Sequence, residues 1–165
     1  MLNRPRSIWD FNREYILVGG LRKDVDTKFL ARLQSIEAAK KRTPPIPLAH
    51  LIGLCDILKN RPRIDRVDAA AFAVYLSHLI GYGIRIPIAI CMLSVTSNGA
   101  YPPMDAKVAV GLLGRKLITA QQASALKGNE PKIFAPVYVC EVLPEWRRLR
   151  KQGMSPRLID DKWSA

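Results

Sequence analysis

The chain reads as an all-α protein, a single compact helical domain. Three observations predict it. Apolar residues recur at three- and four-residue spacing, aspartates precede several of those stretches, and proline or glycine clusters separate them. Asp24 or Asp26 can cap a helix running to about Ala39, whose Phe29, Leu30, Leu33 and Ile36 form one stripe. Thr43-Pro44-Pro45-Ile46-Pro47 breaks the chain, because consecutive prolines lack amide donors and restrict the residue before them. A short helix from about Leu48 to Lys59 follows. Arg61-Pro62-Arg63 then separates it from a helix over Asp65 to Leu79, in which Val67, Ala71, Val74, Tyr75, His78 and Leu79 are expected to line a buried stripe.

Gly81-Tyr82-Gly83 ends that helix, and another is expected from Ile84 to about Val95, with Pro87 in its first turn, where a missing amide costs nothing. After a loop over Ser97 to Pro103, Asp105 is placed to cap a helix through Leu113, and Ile118 to Leu126 reads as the next. Ile133 to Val142 is ambiguous. Phe134, Val137, Tyr138, Val139 and Cys140 favour a strand, but Leu143-Pro144-Glu145-Trp146 resembles a helix start, and the whole run is read as helical. The polar stretch from Gly153 to Ala165 carries Leu158, Ile159 and Trp163 and is expected to dock on the body of the domain.

With 165 residues, 48% of them hydrophobic, the chain can bury a core without disulfides or metals. No stretch approaches the roughly 18 apolar residues of a membrane span, and the first residues lack the apolar segment of a secretory signal, so a cytoplasmic location is expected. Cys55, Cys91 and Cys140 are odd in number, far apart and set among apolar neighbours, which suits reduced core thiols rather than a disulfide framework, a metal site or an iron–sulfur cluster.

The charge is informative: 26 Lys and Arg against 14 Asp and Glu leave a formal +12. Such an excess points to a polyanionic partner, with nucleic acid first, because phosphate contacts release counterions and favour binding without sequence preference. Met1 to Arg66 holds 14 basic and 7 acidic residues, Val67 to Lys127 holds 5 and 2, and Gly128 to Ala165 holds 7 and 5. The basic excess therefore sits in the flanks, in runs such as Lys40-Lys41-Arg42, Arg61-Pro62-Arg63 and Arg147-Arg148-Leu149-Arg150-Lys151. Any single run reads first as a solvated helix face. In the apolar middle a charge is costly to bury unpaired, which singles out Arg85 and Asp105.

Leu79 to Ile90 is a helix, a tight turn and a second helix. Two glycines one residue apart permit positive φ in the turn, and first-turn amides of the second helix can meet a phosphate without any base being read. A Gly-x-Gly also occurs in ordinary interhelical turns. Ile86 at the third glycine's place, and a helix in place of a strand, set aside a dinucleotide fingerprint.

Together with Tyr101-Pro102-Pro103-Met104-Asp105, this segment resembles the helix–hairpin–helix DNA glycosylase superfamily, especially its 8-oxoguanine glycosylase-like branch, over about residues 65–113. The family's hairpin, Leu-Pro-Gly-Val-Gly-x-Lys, corresponds to Ile80-Gly81-Tyr82-Gly83-Ile84-Arg85, and its Pro-Val-Asp corresponds to Pro103-Met104-Asp105, with twenty positions from Arg85 to Asp105 (105 − 85). The resemblance implies a hairpin that grips double-stranded DNA through Gly81, Tyr82, Gly83, Arg85 and Lys107. A base is then flipped into a pocket where Asp105 supports cleavage of the base–sugar bond in base excision. Arg85 stands at the family's lysine, and a guanidinium does not readily form a Schiff base, so hydrolysis of the N-glycosidic bond without strand cleavage is the implied activity. No cofactor or metal is implied.

Asp105 also reads as an ordinary helix N-cap, and the two roles are compatible. Arg85 can contact phosphate or pair with Asp105. Tyr82 can wedge into a duplex or shield the turn. His50 and His78 have no partner at a metal or triad spacing, Trp146 and Trp163 suit a core or a stacked base, and Glu141 with Glu145 suits solvated surface. A non-catalytic DNA-binding module and a basic protein-interaction domain stand as alternatives; the oligomeric state is open.

Overall fold

The computed structural model describes residues 7–9, 26–42 and 44–165, and within them the fold is entirely helical. The elements are α1 (Thr27–Ala39), α2 (Leu48–Lys59), α3 (Ala69–Ile80), α4 (Ile86–Thr96), α5 (Ala106–Gly114), α6 (Ala120–Lys127), α7 (Pro131–Val137), α8 (Leu143–Lys151) and α9 (Pro156–Trp163). A π-helical turn, Tyr138–Val142, joins α7 to α8. No helix among the described residues is long and apolar enough to cross a membrane.

Local chemistry sets most of the boundaries. Asp26, Asp68, Asp105 and Ser155 each accept a hydrogen bond from an amide in the first turn of the helix they precede, and Thr119 with Gln122 forms a reciprocal capping box at α6. Asp24, the other candidate cap for α1, lies outside the described residues. Asp68 rather than Asp65 starts α3; Asp65 is held in the preceding turn by Arg63, at 3.0 Å.

The expected stripe of α3 needs correction. Its buried residues are Phe72, Ala73, Tyr75, Leu76 and Leu79, while Val74 is 58% exposed and His78 faces solvent. The reason is Phe72, whose ring stacks between Tyr138, at 5.1 Å, and Tyr101, at 5.8 Å. Seating that ring turns the helix by about one position from the face that the branched residues suggest. Tyr138 and Tyr101 each donate from the hydroxyl to a proline carbonyl, Pro102 at 2.5 Å and Pro62 at 2.6 Å. The stack is thereby tied to two loops and leaves no buried hydroxyl unpaired.

The β-branched run at 133–142 is helical because Phe134, Ala135 and Tyr138 must face α3 together, and tertiary burial outweighs strand propensity. Pro136 and Pro144 flank the π-helical turn. Each removes a backbone donor, and a local change of hydrogen-bond register accommodates that loss. Cys55 and Cys91 are buried as expected, but Cys140 sits on the outer side of this turn and is exposed.

The last segment docks. Ile159 and Trp163 are buried, and Trp163 packs 5.5 Å from Trp146, whose indole nitrogen donates to Gly99 O at 2.9 Å. Leu158, however, is 54% exposed. The approach of α9 to α5 is tight enough that a Cβ on Gly111 would fall 1.6 Å from the carbonyl oxygen of Trp163. Gly111→Ala is therefore expected to displace α9, seen as a red shift of tryptophan emission and a lower melting temperature; unchanged emission and stability would contradict the close contact.

Glu37 is buried and accepts the Ile46 amide at 2.7 Å, with Arg42 at 3.9 Å. Burial pushes its carboxyl up, and the Ile46 amide and Arg42 charge offset only part of that. Because the folded value is raised, ionised Glu37 costs stability as pH rises from the usual glutamate range through that value. Glu37→Gln keeps the acceptor and is expected to be more stable than wild type at pH 7, the two converging in acid. Glu37→Ala strands the Ile46 amide and is expected to cost about 1–3 kcal/mol. Urea denaturation at pH 4 and 7 checks both.

Candidate functional site

The hairpin between α3 and α4 is closed on itself. The amides of Gly81, Tyr82 and Gly83 donate to Ser77, Leu79 and Ile80 carbonyls, and Gly83 takes φ of +82°, a left-handed conformation that favours glycine. Tyr82 lies over Gly53 of α2, where an added Cβ would meet its hydroxyl at 2.6 Å, and meets His50 edge-on at 5.8 Å. It shields the turn and does not project as a wedge. Arg42 donates to the Gly83 carbonyl at 3.1 Å.

The first turn of α4 differs from the expected phosphate site. The Ile86 amide donates to Asn129 Oδ1 at 2.8 Å, and Pro87 has no amide to offer. A side chain of the fold thus occupies the place reserved for an external anion. Arg85 precedes α4, is exposed and makes no ion pair among the described residues.

Asp105 pairs instead with Lys40, at the end of α1, through a 2.7 Å contact between Nζ and Oδ2. Its other oxygen accepts the Val108 amide at 2.9 Å, so one carboxylate caps α5 and anchors a lysine from 65 positions away. Both residues line a cleft of about 300 Å³, together with Ser7, Cys91, Lys107 and Asp160. Asp160, on α9, is fixed by the indole N–H of Trp9 at 2.9 Å. Lys107 is exposed and makes no ion pair among the described residues.

The two carboxyls are driven apart. Burial alone would raise Asp105, but the Lys40 ammonium and the Val108 and Lys107 amides reverse this and hold it below the usual aspartate value. For Asp160 burial prevails over the Trp9 hydrogen bond, the Asp105 charge adds to it, and the carboxyl is raised. Burial would lower Lys40; the hydrogen bond to Asp105 and the Asp105 and Asp160 carboxylates outweigh it and keep the ammonium above its ordinary range. Burial pushes the Cys91 thiol up to about 12, so it stays neutral. The cleft therefore offers a fixed anion, a fixed cation and a second carboxyl that takes up a proton more readily, the division of labour that acid–base chemistry needs. Neither the lysine nor the thiol is in its nucleophilic form near neutral pH.

Of the catalytic and DNA-contact residues that the resemblance implies, Asp105 and Lys107 reach this cleft, while Gly81, Tyr82, Gly83 and Arg85 belong to the hairpin. Lys40 and Asp160 carried no local signal, one standing in a basic run and the other in a polar stretch. Trp146 and Trp163 are buried and unavailable for base stacking, His50 and His78 are exposed, and Glu145 is paired with Arg148 at 2.5 Å.

Because the folded value of Asp105 is lowered, the stability it contributes is present above the usual aspartate range near 3.8 and is lost as pH falls through the folded value. Asp105→Asn keeps a capping oxygen and is expected to cost about 1–2 kcal/mol at pH 7, by leaving Lys40 with less counter-charge, and much less in strong acid. In a double-mutant cycle with Lys40→Met, the combined loss should be smaller than the sum of the single losses. Additivity in guanidinium denaturation would mean that the pair is not coupled.

Compared with protein families, with curated proteins and with solved structures, the chain matches no family model, no curated protein and no solved structure.

Proposed function

We propose that the chain binds double-stranded DNA and hydrolyses the N-glycosidic bond of a damaged or modified base in the Lys40–Asp105 cleft. The observation that carries the reading is an ionised carboxylate fixed at a helix N-terminus on the wall of a cleft of about 300 Å³. That volume is at the small end of ligand pockets and suits a single flipped base. Asp105 follows a helix–hairpin–helix at the spacing on which the family resemblance rests.

The chemistry follows from the charges. As the bond between sugar and base breaks, positive charge develops on the sugar, and the Asp105 carboxylate stabilises it and orients a water whose oxygen bonds to the sugar carbon as one of its protons passes to solvent. The base departs with the electron pair of the broken bond, and the raised carboxyl of Asp160 is the group in the cleft best suited to give it a proton. Lys40 holds Asp105 in place and in its charged form. Strand cleavage is not expected, because Arg85 does not readily act as an amine nucleophile and Lys40 is held protonated.

A second reading, a non-catalytic DNA-binding module, is favoured by a different observation: both oxygens of Asp105 already have partners in the protein. A panel of labelled duplexes, each with one modified base, separates the two when abasic sites are revealed by alkali. Wild type should release one base. Asp105→Asn, with its helix content checked by circular dichroism, should bind the same duplex yet release the base more slowly by about 10²-fold or more. Salt-dependent binding to every duplex with no release from any would establish the module instead.

A further inference from the structure

The structure brings the basic run of α8 against the turn that follows Arg61-Pro62-Arg63, far away in the sequence. The turn after α2 and the outer face of α8 form the walls of a groove of about 410 Å³, well away in sequence from the hairpin glycines and from Asp105. Ile64, Val67, Val139 and Leu143 contribute its apolar surface. Arg147 and Lys151 stand four positions apart on α8, so they project from one side of the helix about 6 Å apart along its axis.

The charges around this groove are not balanced from within. The carboxylate in its wall, Asp65, is held by Arg63 at 3.0 Å, and the neighbouring Arg148 is paired with Glu145. Arg147 and Lys151 have no carboxylate within ion-pair distance among the described residues. Arg147 is also half-buried, its stem covering part of the apolar wall. Two like charges on one side of a helix repel one another and are stabilised by an anion that spans them. The π-helical turn supplies Val139 to the wall, and such irregular turns are frequent where helices bind something.

We propose that the groove between residues 64–67 and α8 is a docking surface for the phosphodiester backbone of a nucleic acid, with Arg147 and Lys151 as its phosphate contacts. A repeating anion fits better than a single one, because two unpaired cations stand in line and Arg66, near Asp65, extends the positive charge beyond the groove. The apolar wall accommodates sugars and base faces without reading sequence. The inference rests on the nucleic-acid half of the function proposed above and is independent of base removal.

The test measures binding of the full chain to a mixed-sequence labelled oligonucleotide, single- and double-stranded, by fluorescence anisotropy across a salt series. Arg147→Gln/Lys151→Gln should weaken binding at least tenfold at low salt and reduce the slope of log affinity against log salt by about two. Lys127→Gln/Lys132→Gln removes the same charge elsewhere and should leave the slope nearly unchanged. Lys151→Gln alone should lower the slope by about one, and it serves if the double variant loses helicity. Equal losses in both double variants, or none in the groove variant, would overturn the proposal. Tighter binding of poly-glutamate than of the oligonucleotide would overturn it too, by making the groove a site for an acidic protein segment. Intact groove-dependent binding in a protein that releases no base would retain this inference and remove the glycosylase reading.

Discussion

Burial of α4 on nearly every side is the constraint on which the rest of the structure depends. Ile86, Ala89, Ile90, Cys91, Met92 and Leu93 are all at most 1% exposed, and no charged residue stands between Arg85 and Asp105. A helix so enclosed has to satisfy its polar groups within the fold. Ser94 and Thr96 do so by donating to the Tyr101 and Met92 carbonyls, and the Ile86 amide does so through Asn129. Cys91, on α4, lines the same cleft as the Lys40–Asp105 pair. The charged pair thus sits at the margin of the most apolar part of the molecule. There the ions remain part-exposed, at 24% and 29%, and avoid the full penalty of desolvation.

The hairpin and the cleft divide roles that the sequence seemed to assign to one continuous motif. In the hairpin, backbone and side chains are spent on holding α2, α3 and α4 together: Tyr82 on Gly53, Arg42 on Gly83, Asn129 on Ile86. The charged groups without an ion-pair partner among the described residues are elsewhere, at Lys107 in the cleft and at Arg147 and Lys151 beside α8. What a turn motif offers in isolation is reduced by whatever the surrounding fold takes from it.

The local part of the fold was legible. The Asp26 and Asp105 caps, the proline break before α2 and the docking of Trp163 all follow from short-range chemistry or from apolar residues that must be covered. The face of α3 was not legible, because Val74 and Phe72 are equally plausible as core, and only the rings of Tyr101 and Tyr138, brought in from distant segments, decide between them. Cys140 is exposed for the same kind of reason, since the burial of Phe134 and Tyr138 turns it outward. Half of the candidate site could be read in advance. Asp105 was marked by its position after two prolines in a nearly uncharged stretch, whereas Lys40 and Asp160 acquire meaning only from contacts across the whole chain.

The hydrogen bond from Trp9 to Asp160 spans 151 positions, and this has a bearing on assembly. A polypeptide emerging from its amino end carries Lys40 and Asp105 for several seconds before α9 is complete, at roughly 5–20 residues per second. Until then the lysine has one carboxylate for company and the cleft lacks a wall. Closing so long a loop is entropically slow and is rewarded only when α9 packs on α5 and α8. The site is therefore among the last features to form on the way to the native state, and among the first to be lost when α9 lifts away.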